Sequence, residues 1–271
     1  MSIYESTLKK KNFFLRFNVI TQLIIVNIFI YFLSLILIGI YGNEFFSQYF
    51  ALTPSLILQF KILWTIFTSM FLHASFFHLF ANMFSLFFIG NFLEKIIGRK
   101  RIFWVYIFSG IFGGIAFVLA SYFLKTNFPA VGASGAIFGL LGVLAVLVPY
   151  SKIYLVAGPL ILIVAQVLLS AILPENILGT LNLLINILIF VMIFSMLSFS
   201  SSLRKFAIPL ELPMWLVPIV AIVPLSIIGL FVQLPIGNSA HFGGLVVGIL
   251  YGFYLRKKFP RKIKFFGEAF R

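Results

Sequence analysis

The 271-residue chain contains no cysteine and no aspartate, so its six acidic residues are all glutamate. The absence of cysteine excludes disulfides, thiolate metal ligands and a cysteine nucleophile. The absence of aspartate excludes a serine hydrolase whose catalytic triad contains that residue. Charged residues make up only 10% of the chain, against about a quarter in soluble globular domains. The chain therefore suits contact with lipid and has no room for a large soluble domain.

Apolar residues dominate the remainder of the chain. They account for 62% of it, and the mean hydropathy is +1.15. Because a helix needs about 20 mainly apolar residues to cross a bilayer, the sequence predicts an all-α polytopic membrane protein with about eight transmembrane helices. The expected spans are 18–40, 76–95, 102–124, 132–149, 153–173, 177–199, 212–233 and 239–256. Residues 43–75, which Pro54 interrupts, are expected to form a loop at the membrane interface.

The net charge of +14 comes from 20 basic residues against six acidic ones. Basic clusters can indicate a nucleic-acid partner, but Lys and Arg also accumulate in the cytoplasmic loops of membrane proteins. With eight spans and an internal N-terminus, every basic residue except Lys61 and Lys125 lies on the inner side. We therefore expect a multi-pass protein in the lipid bilayer of a prokaryotic cell membrane, with both termini cytoplasmic and no nucleic-acid partner. The expected division is a basic N-terminus over 1–17, a transmembrane domain over 18–256 and a basic tail over 257–271.

All three histidines, His73, His78 and His241, fall in or beside expected spans. A lone histidine on an apolar face is more often structural than functional. Ionisable side chains within spans are nevertheless costly, and they mark candidate functional sites. His78 and Asn82 stand four residues apart, so they share one face of the second expected helix.

A serine lies in a glycine-rich segment at the start of the fourth expected span. Ser134 stands between Gly132 and Gly135, and Gly139 follows four residues after Gly135. This pattern alone is weak evidence, because small residues at four-residue spacing commonly pack membrane helices against each other. Packing could be the whole purpose of Gly135 and Gly139.

The last expected span carries a second glycine face, which includes Gly244 and Gly248. His241 lies three residues before Gly244 and therefore belongs to the same face. Two glycine-faced helices can approach closely, which would bring Ser134 and His241 within hydrogen-bond reach. A nucleophile beside a general base is the minimum requirement for covalent hydrolysis. The second, fourth and eighth spans all begin at the outer side, so these polar groups are expected at one membrane depth.

Taken in order, several segments resemble the rhomboid family of intramembrane serine proteases. They are FLHASFFHLFANM (71–83), Glu94, GASGAIFGLLG (132–142) and AHFGGLVVGILYG (240–252). The resemblance implies a rhomboid-like helical bundle with a six-helix core, and a peptidase that uses neither a cofactor nor a metal. It also implies single-span membrane proteins as substrates.

The resemblance implies a role for each polar residue. Ser134 would be the nucleophile and His241 the general base, in a dyad without an acid. His78 and Asn82, with the backbone N–H of Ser134, would form the oxyanion hole. His73 would support that region, together with Gly132.

The chain departs from the family pattern in three places. Thr65 follows Trp64 where the family has arginine, and Lys61 could be a partial substitute. Phe138 replaces a common tyrosine and keeps a surface that can stack on the catalytic histidine. The separation of Ser134 and His241 leaves room for two additional helices, which we expect around 160–205 and outside the core. The role of this helix pair and the oligomeric state stay open.

Three other interpretations of the sequence compete with this one. The main alternative is a catalytically silent rhomboid-like protein that binds membrane proteins without cleaving them. A transporter is less favoured, because carboxylates within spans are scarce and no internal repeat is visible. A metalloprotease lacks the H-E-x-x-H motif. Glu94 is interpreted as an interfacial partner of Arg99 or Arg101 rather than as a catalytic residue.

Overall fold

The computed structural model describes residues 17–170, 172–195, 205, 207–228 and 237–269. These residues form thirteen α-helices and one small sheet. The helices are α1 Val19–Tyr41, α2 Asn43–Phe50, α3 Pro54–Leu58, α4 Thr65–Thr68, α5 Phe76–Ser85, α6 Asn91–Ile97, α7 Arg99–Leu124, α8 Ser134–Leu147, α9 Ala157–Ser170, α10 Glu175–Ser195, α11 Val217–Ile228, α12 Asn238–Lys258 and α13 Pro260–Ala269. A 3₁₀ turn covers Ser69–Phe71, and a π turn, Leu86–Gly90, joins α5 to α6. The expected helical class is confirmed.

Four of the described helical segments are long and apolar enough to cross a membrane. They are α1, the continuous segment Phe76–Ile97, α7 and α10. Two shorter apolar helices, α8 and α9, accompany them. The chain is thus a multi-pass helical membrane protein. The expected interfacial loop over 43–75 contains three short helices, α2, α3 and α4, instead of continuous coil.

Helix α8 packs against both α7 and α12, which also contact each other, and most of its side chains are buried. The three backbones come close together because glycines face each other. A Cβ atom added at Gly244 would overlap the carbonyl oxygen of Gly135, and one at Gly248 would overlap that of Gly139. On α7, a Cβ at Gly113 would lie 2.8 Å from the carbonyl oxygen of Ala240. The absence of side chains therefore sets the spacing of these helices.

An antiparallel ribbon accompanies the additional helix pair. Strand β1, Lys152–Val156, pairs with β2, Pro209–Pro213, with Tyr154 directly opposite Glu211. Helices α9 and α10 lie between the two strands in the sequence. The expected span over 153–173 was wrong in its first residues, because Lys152–Val156 is a strand and α9 begins at Ala157. The span expected over 212–233 likewise begins late, since α11 starts at Val217, and its part beyond 228 lies outside the described residues.

Phenylalanine rings join α10 to α5. The ring centroid of Phe190 lies 4.7 Å from that of Phe80 and 6.4 Å from that of Phe77. Phe194 stacks on Phe80 at 5.6 Å. Phe77 and Phe80 are three residues apart and share a face of α5. Helix α10 therefore packs on α5 through its phenylalanines.

Glu94 has a structural role, but its expected pairing with Arg99 or Arg101 was wrong. Its two carboxylate oxygens accept hydrogen bonds from the backbone N–H groups of Val19, at 3.0 Å, and Ile20, at 3.1 Å. These are the first residues of α1, whose N–H groups have no partner within the helix. The carboxylate therefore caps α1, where the helix dipole also favours negative charge.

Candidate active site

Ser134 is the first residue of α8 and follows a tightly constrained loop. The backbone N–H of Gly132 donates to the carbonyl oxygen of Ser69 at 2.9 Å. Leu52 and Ala130 exchange a pair of backbone hydrogen bonds at 2.9 and 3.0 Å. The segment that precedes Ser134 is thus tied to the segment between α1 and α5. The side chain of Ser134 lies at the N-terminal end of α8, where the helix dipole favours developing negative charge.

His241 lies in the first turn of α12 and contacts Ser134 directly. Its Nε2 atom is 2.7 Å from the Ser134 Oγ atom, although 107 residues separate the two. The imidazole ring stacks on Phe138, with ring centroids 4.5 Å apart and an angle of 19° between the planes. Both Ser134 and His241 are only partly buried. In the described part of the chain, the hydrogen bonds and ion pairs include none between His241 and a carboxylate.

Helix α5 brings a second polar group to the site. His78 and Asn82 lie one turn apart, and the Asn82 Nδ2 atom donates to the His78 carbonyl oxygen at 3.1 Å. This bond uses one of the two amide protons of Asn82 and leaves the other available. The His73 ring lies edge-on to the His78 ring, with centroids 5.1 Å apart. Burial, and to a smaller degree the nearby His78, lowers the pKa of His73, so this loop residue is neutral.

Gly132 lies next to both the His78 ring and Ser134. Its φ of +134° lies in a region that residues with a side chain rarely adopt. A Cβ atom added there would lie 2.9 Å from the Nε2 atom of His78 and 3.8 Å from the Oγ atom of Ser134. The His78 ring and the serine hydroxyl therefore converge on the space beside Gly132.

The segment before α5 contains the departure from the family pattern at Thr65, and its polar side chains form hydrogen bonds within the segment. The Trp64 indole N–H donates to the Tyr49 carbonyl oxygen at 2.9 Å. Thr65 is buried, and its hydroxyl donates to the Ile62 carbonyl oxygen at 2.9 Å. The Lys61 ammonium bonds the side chain of Gln59 at 3.0 Å. The Thr65 hydroxyl is therefore bonded to a backbone atom three residues earlier. The Lys61 ammonium is bonded to Gln59 and not to Thr65.

Two supporting residues were missed by the sequence analysis. Ser75 is the N-cap of α5, and its Oγ atom accepts the backbone N–H of His78 at 3.2 Å. The pattern of a serine three residues before His78, at a helix start, is a recognised capping signal and could have identified it. Ser69 acts through its backbone carbonyl, which no side-chain pattern could reveal.

The arrangement supplies the parts of an acyl-transfer site. A hydroxyl is hydrogen-bonded to an imidazole, the imidazole stacks on an aromatic ring, and the His78 ring of α5 lies beside the loop that precedes the hydroxyl. Within the described residues, no group of three or more His, Cys, Asp or Glu side chains could hold a metal ion.

The sequence is similar to those of known proteins. The sequence profile of the Rhomboid domain matches residues 61–183 and 185–258. RHOMBOID-like protein 1 of Arabidopsis thaliana is 48% identical over 92 residues, which are 34% of this chain and 23% of the relative. RHOMBOID-like protein 2 of the same plant is 47% identical over 77 residues, 28% of this chain and 23% of the relative.

A third relative shows that membership does not settle activity. Inactive RHOMBOID-like protein 8 of Arabidopsis thaliana is 42% identical over 80 residues, 30% of this chain and 22% of the relative. The matched segments thus span about a quarter of the length of each of these relatives. Because the profile covers most of the chain, the chain belongs to the rhomboid family.

Proposed function

We propose that this protein is an intramembrane serine endopeptidase that cleaves peptide bonds in or near the transmembrane segments of membrane proteins. The observation that carries the proposal is the 2.7 Å separation of Ser134 Oγ and His241 Nε2. This distance lies within the range expected for a nucleophile and its general base. Membership of the rhomboid family supports the same class of reaction.

The proposed reaction begins with proton transfer between these two residues. As the Ser134 Oγ atom attacks the carbonyl carbon of the substrate, its proton moves to the Nε2 atom of neutral His241. The imidazolium then donates that proton to the leaving amine nitrogen, and the C–N bond breaks. His241 next removes a proton from water as its oxygen attacks the acyl carbon. The bond between that carbon and Ser134 Oγ then breaks, the new carboxyl terminus leaves, and His241 returns the proton to Ser134.

The tetrahedral intermediate carries an oxyanion that needs donors. We assign this role to the Ser134 backbone N–H, the His78 ring and the free amide proton of Asn82. Each such donor commonly contributes a factor of about 10² to 10³ to the rate. His73 and Gly132 position the His78 ring, and Phe138 orients His241 in place of an acidic residue.

Single-span membrane proteins are the proposed substrates. A peptide bond within a helix has its backbone groups already paired, so the segment must unwind before Ser134 can reach it. Segments that contain small or helix-breaking residues should therefore be preferred. No cofactor or metal ion takes part in the proposed mechanism.

Cleavage of a single-span reporter by purified protein tests this proposal. We expect wild type to cut the reporter and to react with a fluorophosphonate probe. Ser134→Ala and His241→Ala should each abolish cleavage, whereas the control Ser85→Ala should cleave normally. Cleavage that survives Ser134→Ala would refute the mechanism.

The second candidate is a catalytically silent membrane-protein binder, which the inactive relative keeps open. It predicts that wild type retains a single-span partner during purification yet neither cleaves it nor reacts with the probe. Binding unaffected by Ser134→Ala, combined with an unreactive serine, would favour this candidate.

We also propose a prokaryotic cell membrane as the location, with both termini cytoplasmic. The proposed orientation rests on the excess of basic residues in the sequence segments that are expected on the inner side. Because the chain lacks cysteine, single cysteines can report orientation without interference. A membrane-impermeant maleimide applied to intact cells should label Lys125→Cys and spare Gly267→Cys. The reverse pattern would invert the topology.

A further inference from the structure

A small cavity lies at the end of the bundle opposite to Ser134. Its volume is about 60 Å³, and its walls include Arg101, Lys262, Phe259, Leu147, Leu255 and Ile263. Leu147 is the last residue of α8, whereas Ser134 is the first. At 1.5 Å per residue, the cavity is therefore roughly 20 Å from the catalytic pair. It is separate from the candidate active site.

Two cations share this otherwise apolar cavity. The Arg101 guanidinium lies over the Phe259 ring, 4.8 Å from its centroid, and donates one hydrogen bond, at 3.0 Å, to the Ile97 carbonyl oxygen. A guanidinium has five N–H donors, so Arg101 retains further donors. The Lys262 ammonium lies 5.8 Å from the centroid of the Phe266 ring. The planar guanidinium of arginine can donate two parallel hydrogen bonds to a phosphate, which the lysine ammonium cannot do.

The described acidic residues near this end are engaged with other groups. Both oxygens of Glu94 accept backbone N–H groups of α1. Glu268 pairs with Lys264 at 3.9 Å, one helical turn away. The ion pairs among the described residues include neither Arg101 nor Lys262. Within this part of the chain, the two cations of the cavity face no protein carboxylate.

The cavity is surrounded by basic and aromatic residues of the kind found where a protein contacts lipid headgroups. Basic residues are concentrated in the segments 95–101 and 256–264. Phe265 on α13 is 66% exposed, and it lies in a helix that contains three of these basic residues. Exposed aromatic rings beside cations are typical of helices that lie in the headgroup region.

We propose that this cavity binds the phosphate of an anionic phospholipid, such as phosphatidylglycerol. The phosphate would lie between Arg101 and Lys262, and the start of an acyl chain would follow the apolar walls. Basic pockets between transmembrane helices are suited to such headgroups. Apolar walls disfavour free inorganic phosphate, and the surrounding positive charge disfavours the choline cation of the zwitterionic phosphatidylcholine headgroup. The cavity exceeds the roughly 10–15 Å³ that one water molecule requires, so it has room for a larger polar group.

Lipid titration of the full-length protein in neutral detergent tests the proposal. Bound lipid is counted by native mass spectrometry, with dioctanoyl phosphatidylglycerol, dioctanoyl phosphatidylcholine and inorganic phosphate as separate probes. We expect saturable binding of the anionic lipid alone. The double variant Arg101→Gln/Lys262→Gln should bind it at least about tenfold more weakly, because two charge-assisted contacts are lost.

Two control variants remove the same charge elsewhere. Lys61→Gln/Lys125→Gln changes the opposite end of the bundle, and Lys257→Gln/Lys264→Gln changes the same end outside the cavity. Both should bind within about twofold of wild type. Because Arg101 also bonds Ile97, Lys262→Gln alone is a second test that spares that contact, and we expect about threefold weaker binding.

Several outcomes would overturn the proposal. Unchanged binding by the cavity variants would exclude the site. Equal weakening by all three double variants would indicate a diffuse positive field, and equal binding of phosphatidylcholine would indicate an apolar site without headgroup recognition. Competition by inorganic phosphate at the lipid's own concentration would indicate a simple anion site.

Discussion

His241 Nε2 lies 2.7 Å from Ser134 Oγ, and each residue stands in the first turn of its helix. Their contact depends on how closely α8 and α12 approach along their whole length. That approach is possible because Gly244 and Gly248 face the backbone carbonyl groups of Gly135 and Gly139.

Substitution of Gly244 by alanine should separate the two helices. The new Cβ atom would overlap the Gly135 carbonyl oxygen, and backbone cannot move aside as a flexible side chain can. Overpacking of this kind costs about 1–3 kcal/mol of stability. We expect a lower melting temperature and at least tenfold lower kcat/KM against a single-span reporter. Gly179→Ala is the matched control, since nothing lies within 4 Å of its Cβ position, and unchanged behaviour of Gly244→Ala would contradict the packing argument.

Substitution of Gly132 by alanine should impair the site more than the fold. Its φ of +134° is strained for alanine, by about 1–3 kcal/mol, and the new Cβ atom would press on the His78 ring. We expect kcat to fall by at least tenfold, with KM changed less, because the His78 ring is proposed to act on the transition state. Gly267→Ala, in open space on α13, should have no effect. A fall in kcat no larger than the fraction of protein that thermal unfolding shows to be unfolded would point to general unfolding instead.

Removal of the Glu94 carboxylate should loosen α1. Glu94→Ala leaves two buried N–H groups without their acceptor, which costs about 1–3 kcal/mol. Glu94→Gln keeps one acceptor oxygen and should lie between alanine and wild type. Thermal unfolding in detergent measures the effect, and the exposed Glu44→Gln serves as the charge-matched control. If Arg99 or Arg101 were the true partner of Glu94, substitution of that arginine would reproduce the full loss.

The strand register can be tested by disulfide formation. Tyr154 and Glu211 are directly opposite each other in the ribbon, a position that brings Cα atoms to about 4.5–5.5 Å. Tyr154→Cys/Glu211→Cys should therefore cross-link under mild oxidation, and the cysteine-free background makes the product unambiguous on a gel. Tyr154→Cys/Leu212→Cys places the second thiol on the other face of the strand and should not cross-link. Preferential cross-linking of the second pair would shift the register by one residue.

The spacing of residues along a helix predicted part of the geometry of the candidate site. His78 and Asn82 share a face of α5, since four residues make about one helical turn, and Asn82 bonds the His78 carbonyl group. The stacking of Phe138 on His241 was expected from the family resemblance instead, and the two rings do stack. The first relationship follows from helical periodicity, whereas the second also needs the close packing that facing glycines permit.

Other features could not be predicted because their partners are remote backbone atoms. Glu94 has arginines five and seven residues away, which suggested an ion pair, yet it binds N–H groups of residues 74 and 75 positions earlier. The ribbon was missed because β1 and β2 border apolar segments that also fit the start of a transmembrane helix. The identities of the side chains give little indication of which distant backbone segments form hydrogen bonds with each other.

The sequence by itself determined the helical membrane class, since 62% apolar residues in long runs cannot form a soluble core with so few charges. It also determined that Ser134 and His241 have glycine faces beside them, because a four-residue spacing places residues on one face of any helix. Tertiary structure alone decided that Ser134 and His241 meet at 2.7 Å across 107 residues. It likewise decided that Glu94 caps α1 and that Arg101 and Lys262 share one cavity. Such contacts depend on how whole helices are positioned relative to each other, and that position results from packing summed over many residues distant in sequence.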